Sequence, residues 1–203
     1  MAVQCSGGWR PMVKIGFICE GQTEQIFLQS DRFKELLASL NIESLPVIDA
    51  EGAGNLLPHN ISGYIERLEK QGAQSIFILT DLDEDICITK TKERISARSQ
   101  DIVVIAVKKI EAWFLACTPA MQKLLGQTGF VFPSPENENQ PFETINQLLT
   151  QHRGRGIGKK SAGKVKLVFR MINEGFTLAD AAAHPNCHSA KYLLKKLEEI
   201  APL

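Results

Sequence analysis

The sequence predicts an α/β fold: a four-stranded, mainly parallel sheet flanked by helices, followed by a small helical C-terminal segment. Three observations predict it. Four apolar runs, VKIGFIC, SLPVIDA, SIFILT and DIVVIAV, are continuous instead of alternating, which is the pattern of strands covered on both faces. The stretches between them carry apolar residues at helical spacing. Strands that alternate with helices in this way form a parallel sheet with right-handed crossovers.

Taken in order, VKIGFIC (residues 13–19) ends at Glu20-Gly21, and TEQIFLQSDRFKELLASL (23–40) follows as one helix. SLPVIDA (44–50) and the glycine-bearing EGAGN come next. In LLPHNISGYIERLEKQG, Ile61, Ile65 and Leu68 repeat at three and four, and Gly72 stops the helix. SIFILT (75–80) is the third strand, ICITKTKERISARS a helix, and DIVVIAV (101–107) the fourth strand. IEAWFLACTPAMQKLLG leaves it as a helix ending near Gly126, with Trp113, Phe114 and Met121 as core. The three prolines of FPSPENENQP (132–141) then read as a linker or surface loop. Only helical spacing returns afterwards, in FETINQLLTQH, AGKVKLVFRMINEG, TLADAAAH and SAKYLLKKLEEI. The expected division is an extended leader at 1–12, an α/β domain at 13–126 and a helical segment at 127–203. Met12 is the expected functional start.

The chain of 203 residues is 44% hydrophobic, enough for a real core, and its 23 Lys plus Arg balance its 23 Asp plus Glu. No whole-molecule field therefore draws it to nucleic acid or anionic membranes. The distribution is uneven, with 16 acids against 11 bases in residues 13–111 and 7 against 11 in residues 112–203. The five cysteines lack CxxC spacing, which argues against a disulfide framework or zinc ribbon and for reduced thiols in the cytoplasm. No apolar run approaches the roughly 20 residues needed to span a bilayer.

Ligands of open parallel sheets bind beyond the carboxyl ends of the strands. Glu20 follows the first strand, Glu51 and Gly52 the second, Asp81, Asp83 and Asp85 the third, and Glu111 lies four residues past the fourth. Asp81 and Asp83 share a side in extended backbone, and Asp85 joins them if the strand continues. Carboxylates forced together repel one another unless a positive charge neutralises them, and Mg²⁺ or Mn²⁺ suits hard oxygen donors. The bland alternative is that DLDED caps the following helix. Glu24, one turn into its helix, reads as structural.

An apolar strand ending in CEG, a glycine-bearing second turn and a third strand ending in TDLDED resemble the Toprim fold, a Rossmann-like α/β fold. More narrowly, EGQTE, DLDED and IEAWFLA, in that order and before a lysine-containing helical tail, resemble small bacterial Toprim-like proteins related to OLD-type nucleases. The resemblance implies a metal-dependent nuclease, with Glu20 as general acid or base and catalytic Asp81 and Asp83 holding Mg²⁺. It assigns Glu111 to metal or substrate positioning and suggests a role in phage defence or DNA repair, with a protein partner in a defence complex. The chain departs from the usual pattern in having Glu84 and Asp85 where many relatives have glycine, which leaves open which two of the three aspartates bind the ion.

A basic stretch supplies the counterpart. Arg153, Arg155, Lys159, Lys160 and Lys164 stand among glycines with no acid nearby, a candidate surface for DNA or RNA. GKKSAGKV lacks the hydroxyl residue of a phosphate-binding loop, because Val165 stands in its place. HPNCH reads as a turn between helices. Two rival functions stand beside the nuclease. One is a haloacid-dehalogenase-like phosphatase, since ILTDLDEDICIT also resembles a strand ending in an aspartyl nucleophile. The other is a non-catalytic subunit of a larger complex.

Overall fold

The computed structural model describes residues 12–82, 85, 87–95 and 98–202. Asp83 and the leader up to residue 11 lie outside the described residues. Five parallel strands make one sheet. β1 (Val13–Cys19) pairs with β4 (Ser75–Asp81) on one side, and on the other with β2 (Ile42–Ser44) and then β3 (Ile48–Asp49). β5 (Ile102–Ala106) lies beyond β4. The second predicted strand is thus two short ones on the same edge. Pro46 stands between them; with no N–H and a fixed φ it cannot continue the ladder. Leu45 N still reaches Ile15 O at 2.8 Å, and Ala50 N reaches Cys19 O at 2.9 Å.

The helices are α1 (Gln22–Leu28), α2 (Asp31–Ser39), α3 (Pro58–Lys70), α4 (Ile88–Ile95), α5 (Glu111–Ala116), α6 (Thr118–Leu125), α7 (Pro141–Arg153), α8 (Lys160–Asn173), α9 (Leu178–Ala183) and α10 (His188–Ile200). Two stretches expected as single helices are each broken. Ser30 accepts a hydrogen bond from Phe33 N at 3.4 Å and caps α2, so the chain restarts after α1. Pro119 sits in the first turn of α6, where its missing N–H costs nothing, and separates α6 from α5.

Side chains alternate across the sheet. Ile15, Phe17 and Cys19 of β1, Phe77 and Leu79 of β4, and Val104 and Ala106 of β5 enter one core. Ile18, Ile76, Ile78, Val103 and Ile105 enter the other, under Ile61, Ile65 and Leu68 of α3 and Ile95 of α4. Gly16 lets α3 come close: a Cβ there would stand 2.7 Å from Leu68 Cδ1.

The helices after Gly126 belong to the first core. Phe176 packs edge-on against Phe27 at 5.6 Å and Phe114 at 5.0 Å, and Leu149, Leu167 and Leu193 are buried with them. Trp113 is fully buried, and its indole N–H donates to Ser189 Oγ at 2.7 Å. The proline-rich stretch is more than a surface loop. Glu136 within it is buried and accepts from His188 N at 3.0 Å and Ser189 N at 2.7 Å, supplying the acceptors that the start of α10 lacks. Among the described residues, no helix is long and apolar enough to cross a membrane.

Candidate functional site

The strand order changes direction at β1. The chain leaves β1 towards β2 and β3, then crosses to β4 and β5 on the other side, so the switch point lies between the carboxyl ends of β1 and β4. A cleft of about 450 Å³ opens there, lined among others by Glu20, Glu24, Asp49, Glu51, Asp81 and Lys164.

Glu20 is built into the strand ends. Its backbone N–H donates to Leu79 O at 3.0 Å, and its Oε2 accepts from Thr80 Oγ1 at 2.5 Å and Asp81 N at 3.2 Å. The second turn folds back onto it, because Gly52 N donates to Glu20 O at 2.7 Å. Glu51, just before, holds the left-handed φ of 58°, an uncommon conformation for a side-chain-bearing residue, with its N–H on Asp49 Oδ1 at 2.8 Å.

Asp81 closes β4. It is only 6% exposed, and its Oδ1 accepts from Ile110 N at 2.9 Å, which fixes the turn that delivers Glu111 at the start of α5. Glu111 is fully buried. Its Oε1 lies 3.0 Å from Lys164 Nζ, and its Oε2 has no hydrogen-bond partner among the described residues. Glu24 shares this environment from the first turn of α1.

One ammonium thus faces at least three carboxylates. Burial, with Glu111 and Glu20 adding to it, pushes the Glu24 carboxyl up to about 7. Burial raises Asp81 well above the usual carboxylate range, with Glu24 and Glu111 contributing and Lys164 opposing. For Lys164, burial alone would lower the ammonium, but Glu111, Asp81 and Glu24 outweigh it and hold it above its ordinary value.

Of the residues expected in the site, Glu20, Asp81 and Glu111 come together. Asp85 does not join them. Its Oδ2 accepts from Thr91 Oγ1 and Arg94 Nη2, both at 2.9 Å, and these bonds lower its pKa. Asp83 falls outside the described residues. As placed, no three Asp, Glu, His or Cys side chains among the described residues form a ready-made ligand set for one ion.

The expected basic surface divides. Arg153 donates to Leu124 O at 3.1 Å and Lys123 O at 2.9 Å, closing the carboxyl end of α6. Lys160 pairs with Glu143 at 3.2 Å, while Arg155 and Lys159 are exposed. Lys164 turns inward to the carboxylates. Gly163 seats it: a Cβ there would stand 2.5 Å from Phe142 Cζ, so the first turn of α8 rests directly on α7. HPNCH is a turn, with His184 Nδ1 accepting from Asn186 N at 3.1 Å and Nε2 bonded to Phe132 O.

Sequence reasoning missed Glu24 and the inward placement of Lys164. A signal existed for Glu24, since it shares the buried face of α1 with Phe27 and Leu28, three and four residues on. None existed for Lys164, which reaches the cluster only because α8 packs on α1.

Fold and site together define a Rossmann-like α/β protein with an acidic, lysine-bearing cleft at the switch point of its sheet. The chain belongs to the family described as a domain of unknown function (DUF4276), whose model matches residues 19–198. No curated protein and no solved structure is significantly similar to it.

Proposed function

We propose that the cleft is a magnesium- or manganese-dependent site for hydrolysing nucleic-acid phosphodiesters, which makes the protein a nuclease. The observation that carries this reading is Glu111, fully buried with an Oε2 that no hydrogen bond satisfies among the described residues, beside the nearly buried Asp81 and Glu24. Buried carboxylates short of positive charge are a hard oxygen donor set, which fits a divalent ion. Asp81, Glu111 and Glu20 are the residues to hold it, joined by Asp83 from its place in the sequence. When bound, such an ion supplies an activated water and neutralises charge growing on the phosphate oxygens.

The chain's own groups supply the rest. Glu20, half-buried on the cleft wall and oriented through Thr80 and Asp81 N, exchanges a proton with the attacking water or the leaving oxygen. Exposed Arg155, Lys159 and Lys166 flank the loop and helix that carry Lys164, and they suit a polyanion better than a small phosphate ester. Phe169, 53% exposed one turn beyond Val165 of the cleft wall, adds an aromatic face to that flank. The motif resemblance to Toprim nucleases points the same way.

Plasmid DNA and structured and single-stranded RNA, incubated with purified protein and Mg²⁺ or Mn²⁺, test the reading. Cleavage that chelation stops, that falls at least 100-fold in Glu20→Ala and that survives in Asp85→Ala is the expected result. Metal binding without cleavage of any substrate would overturn the nuclease and favour a non-catalytic subunit that works with a partner.

A further inference from the structure

Lys164 enters the carboxylate cluster from α8, more than 50 residues in sequence from the strand ends it serves. Its Nζ stands 3.0 Å from Glu111 Oε1, and its side chain, 26% exposed, also lines the cleft. No acid stands in the first turn of α8, where Lys160 works against the helix dipole, and Lys164 follows one turn on. Glu143 and Glu111 offset them.

We infer that Lys164 is an internal counter-cation that stands in for a divalent ion at Glu111 and is exchanged for it when the ion binds. This rests on the metal-dependent reading above. The carboxyl groups of Glu24, Asp81 and Glu111 are buried together, and the Lys164 ammonium reaches them through Glu111 Oε1. An incoming divalent ion would find Glu111 Oε1 already paired with a cation, and two cations on one carboxylate oxygen in a dry site repel strongly. The lysine can yield. Its flexible four-carbon stem allows the ammonium to swing into the cleft of about 450 Å³ that it already borders. The helix need not move, because Gly163 holds the α8 backbone against Phe142. The exchange keeps the buried carboxylates compensated in both states and sets the affinity for the ion below what the donor set alone would give.

The test compares Mn²⁺ and Mg²⁺ titrations, followed by calorimetry and thermal shift, in the wild type and Lys164→Met. The variant should melt lower than the wild type without metal, bind Mn²⁺ at least 10-fold more tightly, and gain more in melting temperature on Mn²⁺ addition. Equal or weaker binding by Lys164→Met, with the wild type binding normally, overturns the exchange and leaves the metal site standing. No binding by either protein overturns both. Should Lys164→Met fail to fold, lysine acylation mapped by mass spectrometry on the wild type gives the answer. Labelling of Lys164 should rise several-fold with Mn²⁺, and unchanged or reduced labelling would sink the inference.

Discussion

At the scale of single residues the cleft is governed by burial. Glu24 and Asp81 are each 6% exposed, and Glu111 is fully buried, so their charges are expensive. The consequence is a stability that depends on pH. The Glu24 carboxyl rises from 4.5 to about 7 on folding, so the folded protein holds a proton that the unfolded chain has lost. The stability this proton confers is complete below about pH 4.5 and fades as pH rises through 7, the reverse of an ion-paired carboxylate. Asp81 is shifted in the same direction. For Glu24 the effect is on the order of 3 kcal/mol at most. In chelator-treated protein the melting temperature should therefore decline between pH 5 and pH 8, more steeply in the wild type than in Glu24→Gln. Parallel slopes would show that Glu24 titrates normally. Glu20 and Asp81 were legible in the sequence because each directly follows or ends a continuous apolar strand. Glu24 was harder to read, since its only mark is a place on the apolar face of a short helix.

At the scale of elements, what was legible depended on whether local chemistry or a distant contact set the boundary. β1 runs from Val13 to Cys19 as expected, because an unbroken apolar run is closed by Glu20-Gly21. α7 to α10 all appear where the 3.6-residue spacing predicted them. The breaks at Ser30, Pro46 and Pro119 are local too, and their residue types announce them. By contrast, the role of Glu136 depends on α10, more than 50 residues away, and no local pattern foretells it. The placement of α8 is of that kind. Gly163 lies in a helix, where alanine is normally favoured by about 0.5–1 kcal/mol, yet a Cβ would meet Phe142 Cζ at 2.5 Å. Phe142 is 2% exposed and has little room to yield. Gly163→Ala should cost about 1–3 kcal/mol through overpacking, read from urea denaturation midpoints. Adding Phe142→Leu should recover part of that loss. A neutral or stabilising Gly163→Ala would mean that the first turn of α8 does not depend on this contact.

At the scale of the whole molecule, the acidic front and basic back of the chain meet inside it, at Glu111 and Lys164. The shift in composition after Gly126 marks where strands stop, but the core continues past it. Phe17, Phe27, Phe77, Trp113 and Phe114 form one cluster with Leu149, Leu167, Phe176 and Leu193. Removing α7 to α10 would uncover a large apolar face of the kind that makes a chain aggregate. It would also remove Lys164, leaving the Glu111 charge buried without its partner, a loss that costs several kcal/mol in other buried pairs. A fragment of residues 12–126 should consequently be insoluble, or lack the dispersed amide spectrum of a folded domain, and should regain solubility when co-expressed with residues 127–203. The opposite outcome, a soluble fragment with cooperative thermal unfolding on its own, would establish that the sheet and its first helices form an independent unit, with the C-terminal helices docked onto a finished domain.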